Sequence, residues 1–282
     1  MEKTMKKYMP IFVFPTLLAF LIGFIAPFIL GVGLSFCEFT TVTDAKFVGY
    51  HNYMKVFEDT IFRHSFWYTA LFSFVSLVII NVFAFLLAMA LTKKMRGTNI
   101  FRTIFFMPNL IGGIVLGYIW QLIFNGFLAP RDLAIMLNEW LGFWGLVILV
   151  SWQQIGYMMI IYIAGLQAIP GDVMEAAQID GAKSMQRLFR VILPMMMPSI
   201  TICTFLSMTN GFKLFDQNLS LTAGEPAKMS EMLALNIYQT FYARAGMQWK
   251  GYGQAKAVIF CILVIIISLF QLKATRSKEV QQ

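Results

Sequence analysis

PGDVMEAAQIDGAKSMQRLFRVILPMMMPSI, residues 170–200, begins as a polar insert and runs into an apolar stretch. Pro170 and Asp172 can start a helix in which Met174, Ala177 and Gln178 follow at helical spacing, and Gly181 can end it in a left-handed turn. A second short helix, Lys183 to Val191, then runs to Pro194. Two short helices at a sharp turn make a compact knob. Ala176, Ala177 and Ala182 keep it slim, while Glu175, Asp180 and Arg187 give it fixed charges. On composition alone such an insert is a solvated loop. The order of its residues says more.

Outward from the insert, apolar runs flank it at about 143–168 and 194–215, and four more lie at about 11–36, 65–91, 103–124 and 255–272. Each is long enough to cross a bilayer as a helix of about 20 residues. Backbone groups in lipid must find partners within their own segment, so all six are expected to be helical. The expected fold is an all-α membrane protein of six transmembrane helices in one domain, 1–282, with a loop at 170–193. Of the 282 residues 59% are hydrophobic and 13% charged, and the mean hydropathy is +0.70. Soluble domains carry about 45–50% apolar and about 25% charged residues. A chain of this size lacks the volume to hide the excess, which excludes an ordinary soluble enzyme.

The charges set the expected orientation. With the N-terminus inside, the inner segments hold Lys3, Lys6, Lys7, Lys93, Lys94, Arg96, Arg102, Lys183, Arg187, Arg190, Lys273, Arg276 and Lys278, which is 13 of the 22 basic residues. Against them stand only 5 of the 14 acidic residues, Glu2, Asp172, Glu175, Asp180 and Glu279, so the inner side carries +8 and the rest of the chain balances. Basic loops stay cytoplasmic. The expectation is N-in and C-in, with 170–193 cytoplasmic and outer loops at 37–64, 125–142 and 216–254. The basic balance is then a topology signal, and no nucleic-acid partner is expected. The first apolar stretch is too long for a signal-peptide core and lacks a small-residue cleavage site, so it is expected to be retained.

The remaining features read first as packing. Cys37, Cys203 and Cys261 share no metal-ligand spacing, and His51 and His64 sit in a polar loop, so neither a metal cluster nor a histidine-based catalytic centre is expected. Pro15 and Pro27 are expected to bend the first span, and Gly113 and Gly117 form a GxxxG spacing that permits close helix contact. In the last outer loop, Ser230 can cap a short surface helix whose Leu233, Ile237 and Phe241 share one face while Glu231 and Asn236 point elsewhere. Trp249 and Tyr252 are expected in an interfacial aromatic belt.

Glu175-Ala176-Ala177, Asp180-Gly181-Ala182 and Ile192-Leu193-Pro194 together resemble the EAA loop of the membrane subunits of binding-protein-dependent ABC importers. The runs Phe105-Phe106-Met107-Pro108, Trp152-Gln153-Gln154-Ile155-Gly156-Tyr157, Gly165-Leu166-Gln167-Ala168-Ile169-Pro170 and Leu221-Thr222-Ala223-Gly224-Glu225-Pro226 are similar to sugar-importer permeases of the maltose and glycerol-phosphate types. Glu225 departs from the pattern, where the family commonly has a second glycine, and the large extra outer domain of the enteric maltose permease is absent. The resemblance implies a type I ABC importer permease fold in a bacterial cytoplasmic membrane. It implies as partners a second, related but non-identical permease, two copies of an ABC ATPase and an extracytoplasmic sugar-binding protein, all working in membrane lipid. The coupling residues would be Glu175, Ala176, Ala177, Asp180, Gly181, Ala182, Leu193 and Pro194: Glu175 would meet a basic residue of the ATPase, Ala176 and Ala177 would allow close approach, and Gly181 would make the turn. No cofactor is expected on this chain. Gly181-Ala182-Lys183-Ser184 lacks the upstream glycine of a phosphate-binding loop, position 176 being Ala, so ATP and Mg would sit on the partner ATPase.

A sugar site needs amide, hydroxyl and aromatic side chains facing a wet cavity. Such residues cluster as Trp152, Gln153, Gln154 and Tyr157 in the fourth span and Ser207, Thr209, Asn210, Lys213 and Asp216 in the fifth. The resemblance to the maltose permease adds Gly211 and Leu214. Against this stands ordinary helix packing, since Ser and Thr often bond their own backbone and Gln and Asn join helices. Lys213 and Asp216, three apart, can pair on one helix face. Three alternatives remain open at this point. An importer for a glycerol-phosphate, polyol, amino acid or peptide would share the coupling loop, a passive channel would need no ATPase, and an intramembrane enzyme would need facing ionisable groups.

Overall fold

The computed structural model describes residues 13–92 and 97–276. The charges Glu2, Lys3, Lys6, Lys7, Lys93, Lys94, Arg96, Lys278 and Glu279 lie outside them. Among the described residues, five helices are long and apolar enough to cross a membrane. A sixth counts if a bent pair is taken as one span.

The first is α1, Val13–Leu34. Pro27 has no N–H to offer and its ring would strike the carbonyl one turn back. The helix accommodates it by widening at Leu21–Ile25, where the Ala26 N–H reaches back to the Leu21 carbonyl. The loop that follows holds a two-residue hairpin, β1 Cys37–Glu38 paired antiparallel with β2 Lys46–Phe47, and α2, His51–Glu58. The second span is α3, Thr60–Thr92.

The expected third span, 103–124, is corrected. α4, Thr98–Phe106, ends before a tight turn at Met107–Leu110, and the spanning helix α5 runs Gly113–Leu128. Pro108 cannot continue the α4 ladder, and Ile111 and Gly112 are extended. The fourth span is α6, Glu139–Gln167, followed by the short α7, Gly171–Ile179.

The fifth span is also corrected. One helical run, α8 Ser184–Met195, passes through Pro194 rather than stopping there, and meets α9, Met197–Phe212, at a bend of 71°. The break falls at Met196, ahead of Pro198 in the first turn of α9. With 16 residues, α9 is about 24 Å long, short of a hydrocarbon core of about 30 Å. The chain breaks again at Lys213–Phe215 before α10, Asp216–Leu221. α11 is Leu233–Tyr242, and the last candidate span, α12, Met247–Arg276, starts earlier than expected.

The chain packs as two compact units, one from residues up to Thr60 with Ile237–Ile262, the other from Ile61–Asn236 with Leu263 onward. In the larger unit α6 is the axis: two-thirds of its spanning window is buried, with Phe143, Leu146, Leu149, Met158, Met159 and Tyr162 inside. Lipid tails are as apolar as leucine, so helices in a bilayer associate by close packing and polar contacts rather than by escape from water. Accordingly α3 turns Ser73, Ser76, Ile80, Ala84 and Ala88 inward and leaves Trp67, Phe74 and Phe83 outside. The expected close contact at Gly113 and Gly117 is present. α5 packs there on α10, and a Cβ on Gly117 would overlap the Ser220 hydroxyl.

Candidate functional site

α7 is framed by its two ends. Pro170 is extended, and Asp172 sits in the first turn, where a carboxylate favours the unpaired N–H groups. At the other end Gly181 takes φ +74°, and the N–H groups of Ala182 and Gly181 donate to the carbonyls of Ala177 and Gln178, each at 3.0 Å. This pair of bonds is a Schellman turn, and the positive φ is the reason glycine stands there. Of the α7 side chains only Ala177 is buried; Glu175, Ala176 and Asp180 are exposed, as is Gly181. Ile179, at the tip, is 86% exposed. The Lys183 N–H donates to Gln186 Oε1 at 2.8 Å and starts α8, while Ala182, Leu193 and Pro194 are half-buried. The result is a slim knob with the acids Asp172, Glu175 and Asp180 and the small Ala176 exposed.

The expected pathway residues divide into two groups. Asn210, Lys213 and Asp216 are exposed at the end of α9 and the break that follows it, and Tyr157 is half-buried near the Phe106 ring. Gln153, Gln154, Ser207, Gly211 and Leu214 are packed inside. Gln153 donates to the Ile111 carbonyl at 3.1 Å and accepts from Gln217 at 2.8 Å, so it braces the unwound stretch between α4 and α5. Gln154 Oε1 is buried with no hydrogen-bond partner among the described residues. Gly211 lies against Ser73. Lys213 and Asp216 do not share a helix face, because α9 ends at Phe212 and α10 begins at Asp216, and no ion pair joins them among the described residues. Thr209 bonds its own helix at Phe205.

Several polar residues that carry the interior were not singled out from sequence. Tyr162 of α6 donates to Asn81 Oδ1 at 2.7 Å, and Asn81 of α3 donates to the Ser207 hydroxyl of α9 at 3.1 Å. Three helices meet in that triad. Asn218 is fully buried and holds the loop between α10 and α11, accepting from the Met232 N–H and donating to Thr222 and to the Ser230 carbonyl. Ser230 therefore does not cap α11. Its hydroxyl goes to the Glu225 carbonyl, and Glu231 and Asn236 are buried and bonded to each other at 2.7 Å rather than facing water. In the smaller unit, Lys256 is 1% exposed and pairs with Asp59 at 2.8 Å, with Thr240 at 3.1 Å from its ammonium. Tyr252 is buried and donates to the same Asp59 carboxylate, so it does not belong to an interfacial belt. A lysine inside an apolar run was the available signal.

Residues 80–276 match the family described as the binding-protein-dependent transport system inner membrane component. The chain belongs to this family of permeases. It is similar to the "Probable starch degradation products transport system permease protein AmyD" of Thermoanaerobacterium thermosulfurigenes, 44% identical over 96% of this chain and 94% of the relative. It is also similar to the "Multiple sugar-binding transport system permease protein MsmF" of Streptococcus mutans, 31% identical over 99% of each. In fold it matches a subunit of a bacterial ABC transporter involved in the import of the acidic polysaccharide alginate, with a TM-score of 0.80 over 98% of each chain at 19% identity. The permease is thus a multi-pass transport subunit of the inner membrane and not an enzyme.

Proposed function

We propose that this permease carries an oligosaccharide of the kind released from starch, delivered by an extracytoplasmic binding protein and driven by a separate ATPase that holds ATP and Mg. The observation that carries the coupling half of this reading is the α7 knob: exposed Glu175 and Ala176 above a Schellman turn that fixes their direction. Glu175 would meet a basic residue of the ATPase, and Ala176 and Ala177 would let the two surfaces approach. The sugar half is supported by the names of relatives, which concern starch degradation products, multiple sugars and arabinooligosaccharides. The basic balance supports N-in and C-in, with α7 cytoplasmic.

A second, related permease would complete the pore, and two ATPase copies would sit beneath it. Alternating access then follows from closure of the ATPase dimer and its reset on hydrolysis. The solute would meet Asn210, Lys213, Asp216 and Tyr157, the pathway residues with exposed surface. Discontinuous helices commonly form such sites in transporters, because unwound backbone leaves polar groups to offer. The break at Lys213–Phe215 meets that description. A phosphorylated solute is the second reading, favoured by exposed Lys213 and by a relative named as an sn-glycerol-3-phosphate permease.

The test is co-purification from native membranes in mild detergent, followed by titration of maltodextrins and glycerol 3-phosphate against the recovered binding protein. An ATPase, a second permease and maltodextrin binding are expected. Purification without an ATPase would sink the coupling reading, and exclusive glycerol-phosphate binding would sink the sugar. Glu175→Lys should abolish transport while the binding protein still docks; unchanged transport would remove Glu175 from the coupling role.

A further inference from the structure

A half-open hollow of about 450 Å³ lies between α3, α4 and α6, walled by Phe83, Leu87, Ile104, Phe105, Trp152 and Ile155. Asn210, Lys213, Asp216 and Tyr157 do not line it, and of the sugar-site candidates read from sequence it holds Trp152. Its volume falls in the range of roughly 300–1,000 Å³ usual for ligand pockets, yet its wall has no ionisable group and no amide side chain. A solute rich in hydroxyls gains nothing there.

One helical turn past Leu87, the Leu91 carbonyl in the last turn of α3 accepts a hydrogen bond from Arg102 Nη2 at 3.0 Å. Arg102 belongs to α4, as do Ile104 and Phe105 of the wall. That bond uses one of the five guanidinium donors. The Arg102 Nε–H is buried and has no acceptor among the described residues, and the side chain as a whole is part-buried. An arginine at the edge of the hydrocarbon layer needs an anionic or carbonyl acceptor for such donors. The end of α3 is also the end that neighbours α7, since Met89 and Thr92 share a second hollow with Met174. So a cationic side chain lies about one helical turn beyond the apolar body of the slot, towards α7.

We propose that this slot binds one acyl chain of an anionic phospholipid, with the phosphate taken by the Arg102 guanidinium. A helix of a partner permease is the competing occupant, and the wall disfavours it. Helices approach closely in membranes through Gly, Ala and Ser, whereas the exposed rim here is Phe83, Ile104, Phe105 and Trp152. Bulky side chains around a recess leave no flat face for a helix but admit a flexible chain. Arg102 adds charge complementarity that a neutral lipid lacks.

The experiment uses the assembled transporter, delipidated in detergent and exposed to equal amounts of 1-palmitoyl-2-oleoyl phosphatidylglycerol and phosphatidylcholine, with retained lipid counted by native mass spectrometry. Phosphatidylglycerol should be retained roughly fivefold over phosphatidylcholine, because either phosphate can accept from Arg102 but the choline ammonium offsets the negative charge of its own phosphate. Arg102→Gln should remove that preference, and Leu87→Trp, which fills the slot, should lower retention of both lipids. Equal retention by the unaltered transporter, or a preference unchanged in Arg102→Gln, overturns the proposal. Should Arg102→Gln fail to assemble, a benzoylphenylalanine at position 104 decides the matter without touching the charge. On irradiation a crosslinked adduct of phospholipid mass supports the site, and an adduct to a second permease, or none, refutes it.

Discussion

The contact that locks α4 to α6 is close enough to predict the cost of one methyl group. A Cβ on Gly156 would lie 1.8 Å from the Phe105 carbonyl oxygen, 2.3 Å from its carbon and 2.8 Å from the Phe106 nitrogen. A relaxed carbon–oxygen contact is about 3.3–3.6 Å, so in Gly156→Ala the end of α4 must retreat by about 1.5 Å. All three atoms are backbone, and no rotamer change relieves the overlap. Overpacking of this kind costs about 1–3 kcal/mol. At roughly 2–4 °C per kcal/mol for chains of comparable size, the unfolding midpoint should fall by roughly 2–12 °C. Gly126→Ala is the control, because a Cβ there meets nothing within 4 Å and Ala is the better helix former by about 1 kcal/mol. The assay is thermal unfolding of the purified transporter in one detergent, read by tryptophan fluorescence. If the midpoints of Gly156→Ala and Gly126→Ala coincide, α4 does not seat on Gly156 and the unwound stretch after it is held some other way.

Three further outcomes follow from individual polar groups. Tyr162→Phe and Ser207→Ala should each destabilise the fold by about 1–3 kcal/mol while leaving solute affinity unchanged, and a double variant should cost less than the sum, because both act through Asn81; a changed affinity with normal stability would return Ser207 to the pathway. Lys256→Met should cost about 3–5 kcal/mol by removing the counter-ion of the Asp59 carboxylate, and Lys256→Met with Asp59→Leu should regain much of it; equal melting of single and double variants would show that the pair is not coupled. Asp44 accepts the Thr41 and Thr40 N–H groups, and chiefly the Thr41 bond holds its carboxyl below the ordinary value of 3.8. A lowered value means the stabilisation is complete above 3.8 and is lost as pH falls through the lowered pKa. Proteolysis of the 40–45 turn should therefore rise only in strong acid, and Asp44→Asn should show no such step.

Much of the architecture was legible because membrane insertion leaves few choices. Hydropathy placed α3 and α6 within a few residues, and Pro170 and Gly181 bounded α7 through rules of backbone geometry that need no tertiary contact. Breaks inside apolar stretches were less legible. The turn at Met107–Gly112 and the bend at Met196 lie inside apolar stretches, marked only locally, by Pro108, Asn109 and Gly112 at the first and by Pro194 and Pro198 around the second. Among the pathway candidates, sequence named polar residues at membrane depth but not which way they turn. Gln153, Ser207 and Asn210 are all small-to-medium neutral polar residues, and the first two spend their side chains on other segments of the bundle. Tyr162 and Asn81 read as an aromatic and an amide in apolar runs, and their partnership exists only once α3, α6 and α9 are packed.

That triad also bears on how a push on α7 would travel, on the coupling role proposed for it. α7 stands between α6 and α8, joined to the second by a Schellman turn with little slack. α8 meets α9 at a bend whose pivot, Met196, is fully buried, and a Cβ on Gly165 of α6 would meet its methyl at 3.0 Å. A bend with a packed pivot behaves as an elbow rather than as a loose joint. For α9 to slide alone, the Asn81–Ser207 bond would have to break in a medium with no water to replace it, and Gly211 would have to leave Ser73. Both ends of α7 therefore feed one bundle of α3, α6 and α9 that is internally tied. A displacement entering such a bundle at two points turns it as a body, the rocking motion expected of alternating access, and the exposed end of α9 with Asn210 and Lys213 is carried with it.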